Sequence, residues 1–289
     1  MYKDKGIINF LLRQECYRLA WSLRRFFLSI PKESLVLEVG SGGNPYPRSN
    51  VLVDAYKETR ERHWAPLVCD RPTVIGFAEE LPFKDDTFDF VIAAHVLEHS
   101  KDPDRFLSEL QRVAKAGYIE VPDAFLERLN PYRDHRLEIT ERDGKLIIRR
   151  KPNWKPDSEL VELYEHAAKE VITRDVIPAR PQKFHVRYFW EGGIDYKIEN
   201  PGTSIGWDAP QEDDSARERR LRIRRLLRSV VRYLLSQRRR NREMCIDSML
   251  RCSRCYGELK KQSSGCLACK SCGTEYRAEG MVIDMVNKD

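Results

Sequence analysis

Short apolar runs alternate with polar, turn-rich stretches through residues 34–122. Val36-Leu37-Glu38-Val39, Val51-Leu52-Val53-Asp54, Thr73-Val74-Ile75, Phe88–Ala94 and Tyr118–Val121 are short and bounded by turn residues, the mark of buried strands. Before the last of them, Phe106, Leu107, Leu110 and Val113 recur at three- and four-residue intervals. That spacing predicts a helix over about 102–116, stopped by Gly117. Strands alternating with helices predict an α/β fold, Rossmann-like, with a doubly wound sheet.

Beyond residue 122 the pattern changes. His135–Thr140 and Lys145–Arg149 flank Asp143-Gly144, a hairpin signal, and residues 158–172 carry a helical pattern. His185–Trp190 and Ile194–Glu199 flank Glu191-Gly192-Gly193 and predict a second hairpin. Tyr132, Arg133, Asp134, His135, Tyr188 and Trp190 are the substrate-side candidates of this region. Two amphipathic segments lie outside it. Ile8, Leu11, Leu12, Leu19, Leu23, Phe26 and Phe27 stripe an N-terminal helix within residues 1–33. Ile223, Leu226, Leu227, Val230, Val231, Leu234 and Leu235 stripe a second, over 215–242. The expected divisions are 1–33, a domain over 34–208 (core 34–122, lid and final hairpin 123–208), an Arg-rich linker over 209–248, and a small domain over 249–289.

Charge adds one point. The 289-residue chain carries 51 basic and 45 acidic residues, but 215–242 alone holds twelve Arg and one Glu. Without that segment 39 basic residues face 44 acidic ones, so the positive balance belongs to one helix and not to a basic surface. Such a helix packs on its own domain, lies on an anionic membrane, or binds RNA or protein. Peripheral membrane contact is accordingly assigned to 1–30 and 215–242. No apolar run approaches the eighteen or so residues of a membrane span. Phe10-Leu11-Leu12 is broken at once by Arg13, Gln14 and Glu15, unlike a secretory leader. The expected location is cytoplasmic, with the eight cysteines as thiols or metal ligands.

The chemistry begins where the first strand ends. Glu38-Val39-Gly40-Ser41-Gly42 runs from strand into glycine turn, and Asp54 closes the second strand, where adenosine-binding sheets often place a ribose-binding acid. With Ala78-Glu79-Glu80-Leu81-Pro82-Phe83, Phe88-Asp89-Phe90-Val91-Ile92 and His95-Val96-Leu97-Glu98-His99, these motifs resemble class I S-adenosylmethionine (SAM) dependent methyltransferases, particularly the ubiquinone and menaquinone branch. The resemblance spans roughly 34–122. It implies a SAM pocket formed by Glu38, Gly40 and Gly42, with Asp54 on the ribose and Ala78 and Glu79 beside the adenine. His95 would lie near the methionine end or the substrate. Asn44-Pro45 stands where the family has a third glycine, and Phe77 where it has an adenine-binding aspartate. Methyl transfer mainly requires alignment of the acceptor; an oxygen or nitrogen acceptor adds the need for a base, for which His95 is the catalytic candidate.

Cys252-x-x-Cys255 and Cys269-x-x-Cys272 have the spacing of a four-thiolate structural zinc site, with Cys266 as a spare candidate. Leu250–Leu259 and Cys272–Val286 are similar to the small zinc-ribbon activators that bind methyltransferases acting on tRNA, rRNA and release factors. The sequence thus reads as a SAM-dependent methyltransferase with a structural Zn2+ ribbon. Its expected acceptor is a small molecule or lipid-linked glycan. RNA is the alternative acceptor, and a non-catalytic scaffold is the alternative of a different class.

Overall fold

The computed structural model describes residues 6–59, 62, 65–129, 131–155, 157–207, 229–230, 232–262 and 265–286. Its strands are β1 (Val36–Val39), β2 (Val51–Asp54), β3 (Thr73–Ile75), β4 (Phe90–Ala94), β5 (Ala116–Pro122), β6 (Leu137–Arg142) and β7 (Lys145–Arg150). They continue with β8 (His185–Glu191), β9 (Tyr196–Ile198), β10 (Leu259–Lys261), β11 (Leu267–Cys269), β12 (Glu275–Tyr276), β13 (Ala278–Glu279) and β14 (Val282–Asp284). The chain divides into two compact units. One gathers Met1–Pro31, Ala94–Pro103 and Tyr118–Glu212; the other gathers Lys32–Ala93, Asp104–Gly117 and Asp213–Asp289.

In the second unit the strands lie in the order β13-β14-β3-β2-β1-β4. All neighbours are parallel except β13, which lies antiparallel on β14. The chain passes from one side of β1 to the other between β3 and β4. This is the topological switch at which α/β sheets bind ligands, beyond the carboxyl ends of the strands. Every residue of β1, β2 and β3 is buried, as expected for strands covered on both faces. The sheet is the α/β, Rossmann-like one that the sequence predicts.

The predicted helix forms over Pro103–Val113, with Phe106, Leu107, Leu110 and Val113 all at most 1% exposed. Its end comes earlier than Gly117. Ala114 already bridges Phe88 in parallel, so Gly117 lies inside β5 instead of stopping the helix.

Strands β10, β11 and β12 form a separate antiparallel sheet, and the hairpin β13–β14 follows them. Val282, Ile283 and Asp284 of β14 pair with Thr73, Val74 and Ile75 of β3. The stretch before the cysteines is tied down as well: Lys84 donates its N–H to the Met249 carbonyl (2.9 Å) and Arg251 to that of Pro82 (3.0 Å). The cysteine-bearing segment therefore shares backbone hydrogen bonds with the sheet of its unit.

In the first unit β5 neighbours β8. Strands β6 and β7 form the predicted hairpin, with Asp143 and Gly144 both at positive φ (52° and 77°), as a two-residue Asp-Gly turn requires. The second hairpin does not form. Strand β9 pairs in parallel with β7 instead of folding back on β8. The Leu146 N–H bonds the Asp195 carbonyl at 2.9 Å, and Tyr188 Oη accepts the Asp195 N–H at 3.0 Å, which turns the chain away. The N-terminal helix is two helices, α1 (Gly6–Arg13) and α2 (Tyr17–Leu23), parted where Glu15 takes φ 57°. Ile8, Leu11 and Ala20 are buried together against Leu12, Leu23 and Phe27, whereas Leu19 of the expected stripe is half exposed.

The helical pattern of 158–172 extends over 158–179, capped by Asp157, whose carboxylate accepts the Leu160 N–H at 3.0 Å. Most of the Arg-rich segment, with Ile223, Leu226, Leu227 and Val231, lies outside the described residues. Within the described part Val230, Leu234 and Leu235 are exposed, and a helix spans Arg238–Glu243. Among the described residues no helix is long and apolar enough to cross a membrane.

Candidate functional site

In the second unit, the turn after β1 is held in shape by β2. Gly40 and Ser41 both donate N–H to the Val53 carbonyl (2.9 and 3.2 Å), and Gly42 donates to Asp54 Oδ2 (2.9 Å). Gly40 and Gly42 have φ of 69° and 56°, backbone that side chains resist. A Cβ on Gly42 would lie 3.2 Å from Arg62 Cδ. The Ser41 hydroxyl is buried and has no hydrogen-bond partner among the described residues.

Both oxygens of Asp54 are engaged. Oδ2 takes the Gly42 N–H, while Oδ1 accepts Arg62 Nη1 (2.7 Å) and the Tyr56 N–H (3.2 Å). Glu38 is 3% exposed and turns to the following loop, accepting the Tyr46 N–H at 2.8 Å and the Ser49 hydroxyl. Ala78 is buried and Glu79 half-buried in the 3-10 turn after β3. Beside that turn, Phe77 meets Tyr56 edge-on at 5.9 Å, both rings largely exposed. Sequence reasoning missed Tyr56 and Arg62. Tyr56 stands two residues past Asp54 and could have been found there, but nothing in the pattern marked Arg62.

In the first unit the focus is Glu120 of β5, whose side chain is 1% exposed. Arg24 grips it with Nε on Oε2 (2.8 Å) and Nη2 on Oε1 (2.5 Å), while the Tyr118 hydroxyl donates to Oε2. His95 Nε2 approaches Oε1 at 3.2 Å, and Arg187 Nε lies 3.7 Å from Oε2. His95 also faces Glu98 (Nδ1 to Oε1 3.5 Å) and takes φ 58° at the exit of β4.

Burial works against charge on the His95 ring, but bonds to Glu120 and Glu98 overcome it and raise its pKa to about 9. Burial likewise opposes the charged forms of the two carboxylates. Arg24 and His95 nevertheless hold Glu120 well below the usual range, and His95, His135 and His99 lower Glu98 to about 2. That direction favours the protonated ring, which donates, over the neutral ring that a base requires. A 3-10 turn, Leu97–His99, follows, and His99 Nδ1 turns to the Asp134 carbonyl at 3.1 Å.

Of the other substrate-side candidates, Asp134 and His135 are buried and Tyr132 is 39% exposed, its ring tilted against His135 at 4.7 Å. Tyr188 and Trp190 are 8% and 4% exposed and belong to the core.

The four expected cysteines come together in the second unit. Their Sγ atoms lie within 4.8 Å of one another, with Cys252–Cys272 at 3.6 Å and Cys255–Cys269 at 3.4 Å. Thiolates 2.3 Å from a tetrahedral zinc lie about 3.8 Å apart, so the donor set and spacing fit that ion. Cys266 is not in the cluster. The close approach of the two knuckles depends on Gly257, where a Cβ would stand 2.6 Å from Ser271 Oγ and 3.2 Å from Cys269 Sγ.

The sequence signature of the methyltransferase domain matches residues 38–119. Residues 38–119 are thus similar to a methyltransferase domain. Within the chain, 54 residues are 52% identical to the demethylmenaquinone methyltransferase of Streptomyces avermitilis, covering 19% of this chain and 21% of that protein. A stretch of 111 residues is 32% identical to the 2-methoxy-6-polyprenyl-1,4-benzoquinol methylase of Rattus norvegicus, covering 36% of this chain and 32% of that one. The chain thus spans about a fifth to a third of the length of these curated relatives. Among solved structures, the Haloferax volcanii complex of the Trm112 methyltransferase activator with a putative methyltransferase aligns over 66% of this chain and 99% of that chain, at 15% identity and TM-score 0.34. A Thermotoga maritima SAM-dependent methyltransferase aligns over 41% and 58%, at 24% identity and TM-score 0.28.

The methyltransferase signature over residues 38–119 implies SAM, and the turn tests that implication. Left-handed glycines, a buried hydroxyl without a partner and a carboxylate at the end of the next strand fit an adenosyl ligand.

Proposed function

We propose that the protein is a SAM-dependent methyltransferase acting on a small-molecule or lipid-linked glycan acceptor, with a structural Zn2+ held by Cys252, Cys255, Cys269 and Cys272. The observation that carries the reading is the Gly40–Gly42 turn bonded to Asp54 at the switch point of a parallel sheet. When bound, SAM supplies an activated methyl group on a sulfonium. Gly40 and Gly42 let the backbone approach it, Ser41 adds a hydroxyl, and Asp54 would exchange the Arg62 guanidinium for ribose hydroxyls. Phe77 and Tyr56 offer aromatic surface for the adenine beside Ala78 and Glu79. In the first unit His95 offers N–H groups to an acceptor. Half-exposed Tyr132, with Arg136 stacked 5.3 Å over Trp207, suits a polyhydroxylated acceptor that presents both flat faces and hydroxyls. RNA is less well served, since the basic excess is confined to 215–242.

Calorimetric titration with SAM tests the reading. The folded wild type is expected to bind, and Asp54→Ala to bind about 10- to 100-fold more weakly, the worth of roughly 1.5–3 kcal/mol for hydrogen bonds to a charged group. A folded wild type that takes up no SAM would leave the scaffold reading in its place. An Asp54→Ala variant binding as well as the parent would refute the ribose assignment. Label transfer from radiolabelled SAM into lipid-linked glycan, small-metabolite and RNA fractions then identifies the acceptor. Label in RNA alone would overturn the glycan assignment. Peripheral membrane contact through 1–30 and 215–242 belongs to the same reading, and so does a cytoplasmic location.

A further inference from the structure

The first unit holds a second cluster with the composition of a metal site, apart from the cysteines. Glu98, His99 and His135 each bring one ligand atom within 4.8 Å of the others. Glu98 is 2% exposed, and its Oε2 is buried with no hydrogen-bond partner among the described residues. A carboxylate oxygen desolvated in this way is costly unless something positive meets it.

The two rings are oriented from behind. His99 Nδ1 faces the Asp134 carbonyl at 3.1 Å and His135 Nδ1 faces Glu127 Oε2 at 2.7 Å, so in the tautomer that donates from Nδ1 each ring has Nε2 as its lone-pair nitrogen. Glu127 is itself fixed by Lys151 Nζ (2.6 Å) and the Tyr132 N–H (2.9 Å). The rings stand edge to face, 4.8 Å between centroids. The two segments carrying the ligands are joined by the Arg136 N–H to the Glu98 carbonyl at 2.7 Å.

A carboxylate, two imidazoles and outer hydrogen bonds that set the tautomers are the parts of a divalent transition-metal centre. We infer that Glu98, His99 and His135 bind a divalent transition-metal ion, distinct from the four-thiolate site, with positions left open for oxygen ligands such as water or a hydroxyl. Ligand bonds of about 2.0–2.2 Å require the three atoms to draw together slightly on binding. The inference stands on these side chains and does not depend on methyl transfer.

Cobalt separates the two metal sites. The protein, freed of metal, is titrated with Co2+. A four-thiolate site gives intense sulfur-to-cobalt charge-transfer absorption, which a nitrogen and oxygen site lacks. The wild type is expected to take one equivalent without the thiolate band besides any with it. It should also show hyperfine-shifted, exchangeable Nδ1–H proton resonances from two histidines. Glu98→Gln and His135→Gln should each lose that equivalent while keeping the thiolate absorption. Uptake confined to the thiolate site, with no shifted histidine resonance, overturns the inference and leaves the cluster as a set of ion pairs. Thiolate-free binding that persists in both variants overturns it too. If a variant fails to fold, the histidine resonances of the wild type decide the matter.

Discussion

Replacing Glu120 with alanine is expected to lower the unfolding free energy by about 3–5 kcal/mol, the scale for stripping one partner from a buried charge pair. Glu120 is almost wholly enclosed and receives Arg24, Tyr118 and His95, with Arg187 close by. Removing the carboxylate leaves Arg24, 12% exposed, and Arg187, 13% exposed, beside one another without their common counter-charge. Urea unfolding of the full chain checks this, as a fall in midpoint at unchanged slope. A shift under about 0.5 kcal/mol, the range of ordinary surface substitutions, would mean that the grip on Glu120 contributes little.

The same group sets an acid limb. Because Glu120 is held well below its unfolded pKa, its contribution is present above the ordinary glutamate range and is lost as pH falls through the depressed value. Stability of the wild type should therefore fall more steeply below about pH 4.5 than that of Glu120→Ala.

Loss of the zinc proposed at the cysteines should have the second large effect. Cys252 is fully buried, and Cys252→Ser removes a ligand from a segment with only three short strands of its own. A core that small rarely folds unaided, and structural zinc in small modules contributes on the order of 10–16 kcal/mol of apparent binding energy. The variant is expected to lose protection from hydrogen exchange at β10–β12 and at Asp284, whose N–H bonds the Arg277 carbonyl at 2.9 Å. With β14 loosened, the edge of β3 opens and aggregation should rise. Exchange and unfolding indistinguishable from the parent would rule out a metal-dependent fold there.

The first five strands were readable because β1 to β3 are buried along their whole length and β4 and β5 in all but their last residue, so the apolar runs stand out against turn residues. The Asp143-Gly144 hairpin was readable because its backbone demands those residue types. What escaped were choices made by tertiary contact. Tyr196–Ile198 alternates as well for β7 as for β8, and tertiary bonds, among them Leu146 N–H to the Asp195 carbonyl and Glu199 N–H to the Ile148 carbonyl, decide between them. Glu120 sits within an apolar strand and its main partner is Arg24, in the 3-10 turn after α2 and 96 residues earlier, so no local pattern couples them. Arg62 is hidden for the same reason. The Gly40–Gly42 turn and Asp54 were legible because backbone geometry and strand ends leave marks in sequence; Glu98, His99 and His135 were legible as residues but not as a cluster. The cysteine spacing was the most explicit, since ligand pairs must sit on tight knuckles.

The pairing of Thr73 with Val282 also has a consequence in time. A ribosome that has just made β3 must add about 200 more residues before its neighbour exists, roughly 10–40 s at ordinary elongation rates of about 5–20 residues per second. Through that interval the nascent chain carries an open strand edge, and the cell must shield it until the cysteine-bearing segment emerges.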